Sequence, residues 1–287
     1  MCFLSRLMCL IVCLAAAVPL SAQPSQPAIP AAQLVRETVF NERNDHQGHG
    51  SWRYWIERQE GRETLLEEQV ETAEGPINRL NEANGRPLSD QRRRNEEARI
   101  GELLRSTGGQ RQARQSYQED ERRVGHILAL LADAFVYEDQ GQENGCRRLG
   151  FRPDPAYQAR SVEARVFHAM RGTLWINTRL KRLVRLDGEV AENLDFGYGL
   201  LGRLNKGGWF RMERRAVSAT EWKTVRLEIH MSGRALLVKS FARETSERRG
   251  GFQPVSAGLS LAQGAALLDP MAAYSADRKV AERLLRR

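Results

Sequence analysis

The chain has 287 residues, a formal net charge of +8 and four cysteines, a length that builds one large domain or two small ones. No stretch approaches ~18 consecutive apolar residues, which argues against a membrane-spanning helix. A pI near 9.7 calls for an anionic partner only where the positive charge is clustered.

The N-terminus places Arg6 before an apolar run from Leu7 to Val18, then Pro19, Leu20, Ser21 and Ala22 before polar Gln23. This layout is that of a signal peptide over residues 1–22, with Ala15-Ala16-Ala17 as a competing cleavage site. Export is expected, to the periplasm or outside the cell. Leu10-Ile11-Val12-Cys13 approximates a lipoprotein box, but Val12 stands where a small residue is required. Cys2, Cys9 and Cys13 leave with the signal, so the mature chain keeps Cys146 alone and no internal disulfide forms. Residues 23–31 carry Pro24, Pro27 and Pro30 and read as an extended linker.

A single domain is expected over residues 32–268. Leu34, Val35, Val39 and Phe40 make one face of a short helix that ends before Gln47-Gly48-His49-Gly50. Trp52, Tyr54 and Ile56 alternate with Arg53, Trp55 and Glu57, the pattern of a strand with one face covered. Glu63 to Glu71 and Pro76 to Glu82 continue as strands, with turns at Glu74-Gly75 and Asn84-Gly85. Glu67, Glu68 and Glu71 are expected to face solvent.

The period then becomes helical. Ser89-Asp90 is an N-cap, Ile100, Leu103 and Leu104 give the first helix a narrow apolar face, and Thr107-Gly108-Gly109 breaks it. In the second helix Val124, Ile127, Leu128, Leu131 and Phe135 form a stripe that needs an apolar surface beneath it. The nine Arg and seven Asp or Glu between Asp90 and Arg123 nearly cancel, a solvated helix face rather than a nucleic-acid footprint.

Strands return at Phe135 to Glu138 and Cys146 to Arg152, before a rigid corner at Phe151-Arg152-Pro153-Asp154-Pro155, and Glu163 to Met170 makes one or two helical turns. Thr173 to Asn177, with Leu174 and Ile176 inward, Arg182 to Leu186, Glu189 to Asn193, a run ending near Leu204, Trp209 to Val217, Trp222 to Met231 and Arg234 to Phe241 follow. The clearest alternation is Val225, Leu227 and Ile229 against Arg226, Glu228 and His230. Asp187-Gly188, Asn205-Lys206-Gly207-Gly208 and Ser232-Gly233 read as hairpin turns, so the sheet is antiparallel. A helix from Leu259 to Leu268 and a basic tail over residues 269–287 close the chain.

This arrangement, with Gly172-Thr173-Leu174-Trp175-Ile176-Asn177 running into Arg182 to Leu186 and Asp187-Gly188, resembles the periplasmic lipoprotein-carrier fold of LolA and LolB, with Asn177 where Asp is usual. The resemblance implies an α+β protein whose curved antiparallel sheet is an incomplete barrel, with a helical insertion over one face and an apolar interior that receives acyl chains. Trp52, Tyr54, Ile56, Leu174, Ile176, Val225, Leu227 and Ile229 then become candidates for the cavity, and Ile127, Leu128 and Leu131 for its lid. The expected role is non-catalytic: binding or carrying a lipid, a lipoprotein acyl chain or another apolar ligand in the cell envelope. An envelope stress-sensor module with a protein partner is the alternative, and a hydrolase comes third.

Other motifs carry less. Gly197-Tyr198-Gly199-Leu200-Leu201-Gly202 matches a dinucleotide pattern but precedes a hairpin turn rather than a helix. Asp45, His46 and His49 fall short of a zinc ligand set, and no Gly-x-Ser-x-Gly elbow occurs. No cofactor, metal or nucleic acid is expected. Arg278, Lys279, Arg283, Arg286 and Arg287 give the tail a means of touching an anionic membrane surface.

Overall fold

The computed structural model describes residues 29–44, 51–196, 202–235 and 239–268. The signal segment, the linker before Ile29, Asp45, His46, His49 and the basic tail lie outside them.

Helix ends follow local chemistry. The first helix, α1 (Ala31–Asn44), begins just after Pro30, which offers its carbonyl to the Leu34 N–H (3.0 Å). Its buried stripe is Leu34, Val35, Thr38, Val39 and Glu42, whereas Phe40 is 68% exposed. The expected face is therefore corrected: Phe40 lies a third of a turn from the stripe, and the polar Thr38 and Glu42 occupy it instead. The Thr38 hydroxyl donates to the Leu34 carbonyl (2.8 Å), a local bond that allows its burial.

The insertion forms α2 (Asp90–Arg105) and α3 (Thr107–Asp133). Ser89 caps α2 as expected, its side chain accepting the Arg92 N–H. The break between the helices rests on Ser106, whose N–H donates to the Glu102 carbonyl (2.8 Å) while its hydroxyl accepts the Gly109 N–H (3.0 Å). Gly108 and Gly109 are thus part of the first turn of α3. Ser106→Ala should cost about 1 kcal/mol in urea denaturation, with no change in the transition's steepness.

Ten of the strands follow as β1 (Ser51–Glu60), β2 (Glu63–Val70), β3 (Ile77–Ala83), β4 (Arg86–Pro87), β5 (Phe135–Glu143), β6 (Cys146–Pro153), β7 (Met170–Asn177), β8 (Arg182–Val190), β9 (Leu194–Phe196) and β10 (Gly202–Leu204). The last three are β11 (Trp209–Ala216), β12 (Trp222–Ala235) and β13 (Lys239–Val255), and the short helices are α4 (Val162–His168) and α5 (Leu261–Leu267). The strands form one antiparallel sheet in the order β4-β3-β2-β1-β13-β12-β11-β8-β7-β6-β5, with β9 and β10 attached beside β12. The fold is α+β, with five helices among the described residues and a sheet that does not close.

Two meanders meet where β1 pairs with β13, so β4 and β5 are the outer edges. The α2–α3 insertion is the connection between those edges.

Two expected turns are strand interior. Asp187-Gly188 sits within β8, and the β7–β8 turn is the segment between Asn177 and Arg182. Gly188 lies opposite Gly172 and Phe210, where a side chain would strike the Phe210 ring. Its glycine serves close approach rather than reversal. Ser232-Gly233 continues β12, because Gly233 pairs with Leu204 on one side and Phe241 on the other.

Register fixes the two faces. Directly opposed residues share a face, and one row runs Leu149–Leu174–Leu186–Met212–Leu227–Glu247–Arg58–Leu65 across eight strands. At its β6–β8 end this face joins the largest core, where Leu149, Leu174, Ile176 and Leu186 meet Leu34, Val35 and Val39 of α1 and Leu130 and Leu131 of α3. A smaller cluster joins Val70 and Ile77 to Ile100 of α2 and Leu261 of α5.

Candidate functional site

The residues singled out in the sequence divide into three groups. Leu131, Leu174 and Ile176 are fully enclosed in the largest core, with Leu128 packed against it. Trp52, Tyr54 and Ile56 project from one side of β1 and form a separate buried cluster with Phe252 and Val217. The Tyr54 and Phe252 rings lie 4.9 Å apart. Between these clusters Leu227 and Ile229 are half-buried on the same face, with Val225 half-buried at the adjoining bulge, and none of the three belongs to either cluster. Ile127 on α3 is half-buried as well.

The continuation of this face carries charges, which apolar alternation alone did not reveal. Arg58 donates to Glu67 (2.5 Å), as does Asn78 (2.8 Å). Lys223 binds Glu71 (2.8 Å), and Arg249 binds Glu247 (2.7 Å). Gln69 donates to the Tyr54 hydroxyl (2.5 Å), and burial pushes the Tyr54 phenol far above its ordinary range. One face is therefore apolar from β6 to β12 and mixed from β13 to β2, where Arg58, Glu67 and Glu247 sit beside Tyr54, Ile56 and Leu65.

The solvent-facing expectation fails for two of the three carboxylates. Glu67 and Glu68 are 4% and 0% exposed. Glu67 meets Arg58 on one face and Glu68 meets Arg53 on the other, so each carboxylate is paired at the point of burial. Glu71 is half-buried against Lys223. The only advance signal was that Arg58 continues the alternation of Trp52, Tyr54 and Ile56.

A second charged group fastens α1 to the sheet. Glu42 accepts the Leu183 N–H (2.9 Å), lies 3.2 Å from the Arg182 Nε and pairs with Arg214. Arg182 stands over the Trp222 ring at 5.9 Å. Burial lowers the Arg214 guanidinium to about 10, which still leaves it charged at neutral pH. These residues lie on α1, β8, β11 and β12, and nothing in their local sequence announces the meeting.

Other candidates gain no chemistry. Among the described residues no three His, Cys, Asp or Glu side chains gather as metal ligands. Cys146 is a buried free thiol, raised above its ordinary pKa by burial. Residues 197–201 of the glycine motif lie outside the described residues, and Gly202 opens β10, which pairs with β9 and β12 rather than presenting a helix end. No described helix is long and apolar enough to cross a membrane.

Fold and face together define a sheet-rich α+β protein with an open antiparallel sheet that is apolar on part of one side. No protein-family model and no curated protein matches the chain. Among solved structures it is similar to one described as a DUF1329 family protein from Desulfovibrio piger, at 12% identity and a TM-score of 0.27, over 80% of this chain and 95% of that one.

Proposed function

We propose that this is an exported, non-catalytic binding protein of the cell envelope that takes a lipid, a lipoprotein acyl chain or another apolar ligand on the mixed face of its sheet. The observation that carries the reading is the half-buried run of Val225, Leu227 and Ile229 between two fully buried clusters. Apolar side chains left incompletely covered in mid-sheet favour an apolar occupant, since each buried CH₂ contributes about 0.8 kcal/mol. In this reading they are the floor, Trp52, Tyr54 and Ile56 are one wall, and Leu174 and Ile176 support the other end. The α2–α3 insertion, through Ile127, Leu128 and Leu131, is the cover of a lipoprotein-carrier-like half barrel. The charged stretch around Arg58, Lys223 and Arg249 lies where a polar headgroup would emerge. The basic tail, outside the described residues, would bring the protein to an anionic membrane surface.

The test is native mass spectrometry of protein purified from its own envelope fraction without detergent, followed by lipid extraction. Ile229→Asp and Ile127→Asp are the informative variants, because both positions are half-buried, whereas Leu131 is 2% exposed and a charge there would unfold the core. A reproducible acyl ligand in the wild type, lost in both variants at unchanged circular dichroism, is the expected result. A wild type that is ligand-free and takes up neither added lipid nor acylated peptide would reject the carrier and direct attention to a protein partner.

A further inference from the structure

The other face of the sheet holds a separate trough. Three cross-strand rows lie side by side there. They are Arg171–Glu189–Trp209, then Gly150–Thr173–Asp187–Arg211, then Arg148–Trp175–Arg185–Glu213. The middle row is short, with glycine, threonine and aspartate standing between taller neighbours. The result is a depression of about 670 Å³ running across the strands, within the roughly 300–1,000 Å³ of small-molecule sites.

Its walls are held in place. On one side Trp209 is 40% exposed and backed by the His230 ring, 6.1 Å away and tilted by 18°. On the other, the Trp175 indole carries the guanidiniums of Arg148 and Arg185 at 5.5 and 4.6 Å, and its N–H donates to Glu143 (3.0 Å).

The charges on the β7, β8 and β11 side of the trough are matched, and its β5–β6 end adds one charge of each sign, Glu138 and Arg152. Arg171 pairs with Glu189 (2.7 Å), and Asp187 pairs with Arg185 (2.5 Å) and Arg211 (3.4 Å). Beside Trp209 an anion or a cation would have to break a pair to bind, whereas each pair there still has lone pairs and N–H groups for an uncharged hydroxyl. β7 and β8 have neighbours on both sides, so their backbone is committed to the sheet and a peptide cannot add as a strand. A sugar ring combines an apolar C–H face with a rim of hydroxyls, and the trough combines an exposed indole with matched planar polar groups.

We propose that this trough binds a neutral saccharide, with one ring against Trp209 and its hydroxyls on Arg171, Glu189, Asp187 and Arg211. The site is independent of the apolar face.

Calorimetric titration with chitotriose, maltotriose and cellotriose tests it. At least one probe should bind the wild type with a Kd between about 10 μM and 1 mM. Trp209→Ala, at an exposed position, should weaken that binding at least about tenfold, Trp209→Phe should retain most of it, and Phe40→Ala, at an exposed position of α1, should leave it unchanged. The assignment is overturned if no probe binds up to about 10 mM, if binding survives Trp209→Ala intact, or if a neutral polar peptide such as tetraglycine binds and the sugars do not.

Discussion

Glu42→Ala should cost about 3–5 kcal/mol of stability, the usual loss when one partner of a buried ion group is removed. The carboxylate is 2% exposed and sits between Arg182 and Arg214 while accepting the Leu183 N–H. Its deletion takes away a counter-charge shared by two guanidiniums in a poorly solvated place, and it withdraws the acceptor from a strand N–H. It also releases the C-terminal half of α1, which is otherwise tied to the β7–β8 turn by Asn41 donating to the Lys181 carbonyl (3.1 Å) and by Lys181 pairing with Glu37 (2.6 Å). Urea denaturation should show a lower midpoint at an unchanged slope. Glu42→Gln, which keeps the shape and an acceptor, should lose less. A loss below about 1 kcal/mol for the alanine variant would mean that water replaces the carboxylate and that the group is no fastening.

Gly172→Ala should be nearly as damaging, for a steric reason. Gly172 and Gly188 face each other across β7 and β8. A Cβ at Gly172 would fall on the carbonyl oxygen of Asp187 and against the Phe151 ring, whereas the nearest atoms to one at Gly188 all belong to the Phe210 ring. A backbone carbonyl cannot turn aside without breaking the ladder, and a ring can rotate. Gly172→Ala should therefore exceed the roughly 1–3 kcal/mol of ordinary overpacking, and Gly188→Ala should fall within it. Thermal unfolding of the two variants side by side checks the order, and equal losses would show that the strands separate freely at this point.

Much of the architecture was legible because strand alternation and helix caps act within a few residues. Ser89 as an N-cap, the Asn84-Gly85 turn and the alternation of Trp52, Tyr54 and Ile56 all rest on such short-range preferences. Phe40 was misplaced because a helical face is wide enough that Thr38 and Glu42 compete with it, and only their partners on the sheet decide. Asp187-Gly188 was misread because the dipeptide that suits a tight turn also suits a point where two strands and a ring crowd together.

The candidate site was legible in its apolar part alone. Leu227 and Ile229 stand out by alternation, but the mixed half of their face joins Arg58 to Glu67 across a hairpin and Lys223 to Glu71 across 152 positions. The trough on the other face was invisible, since Trp209, Asp187 and Gly150 come from three strands and share no pattern.

By itself the sequence determined the antiparallel α+β class, the helical insertion and the apolar side of each clear strand, because backbone preference and side-chain period are local. Tertiary structure alone decided that the two meanders join through β1 and β13, that Glu42, Glu67 and Glu68 are buried, and that Gly188 lies inside a strand. Those outcomes depend on which distant residue supplies a hydrogen bond, a counter-charge or a steric limit, and that is set only when the strands have found their register.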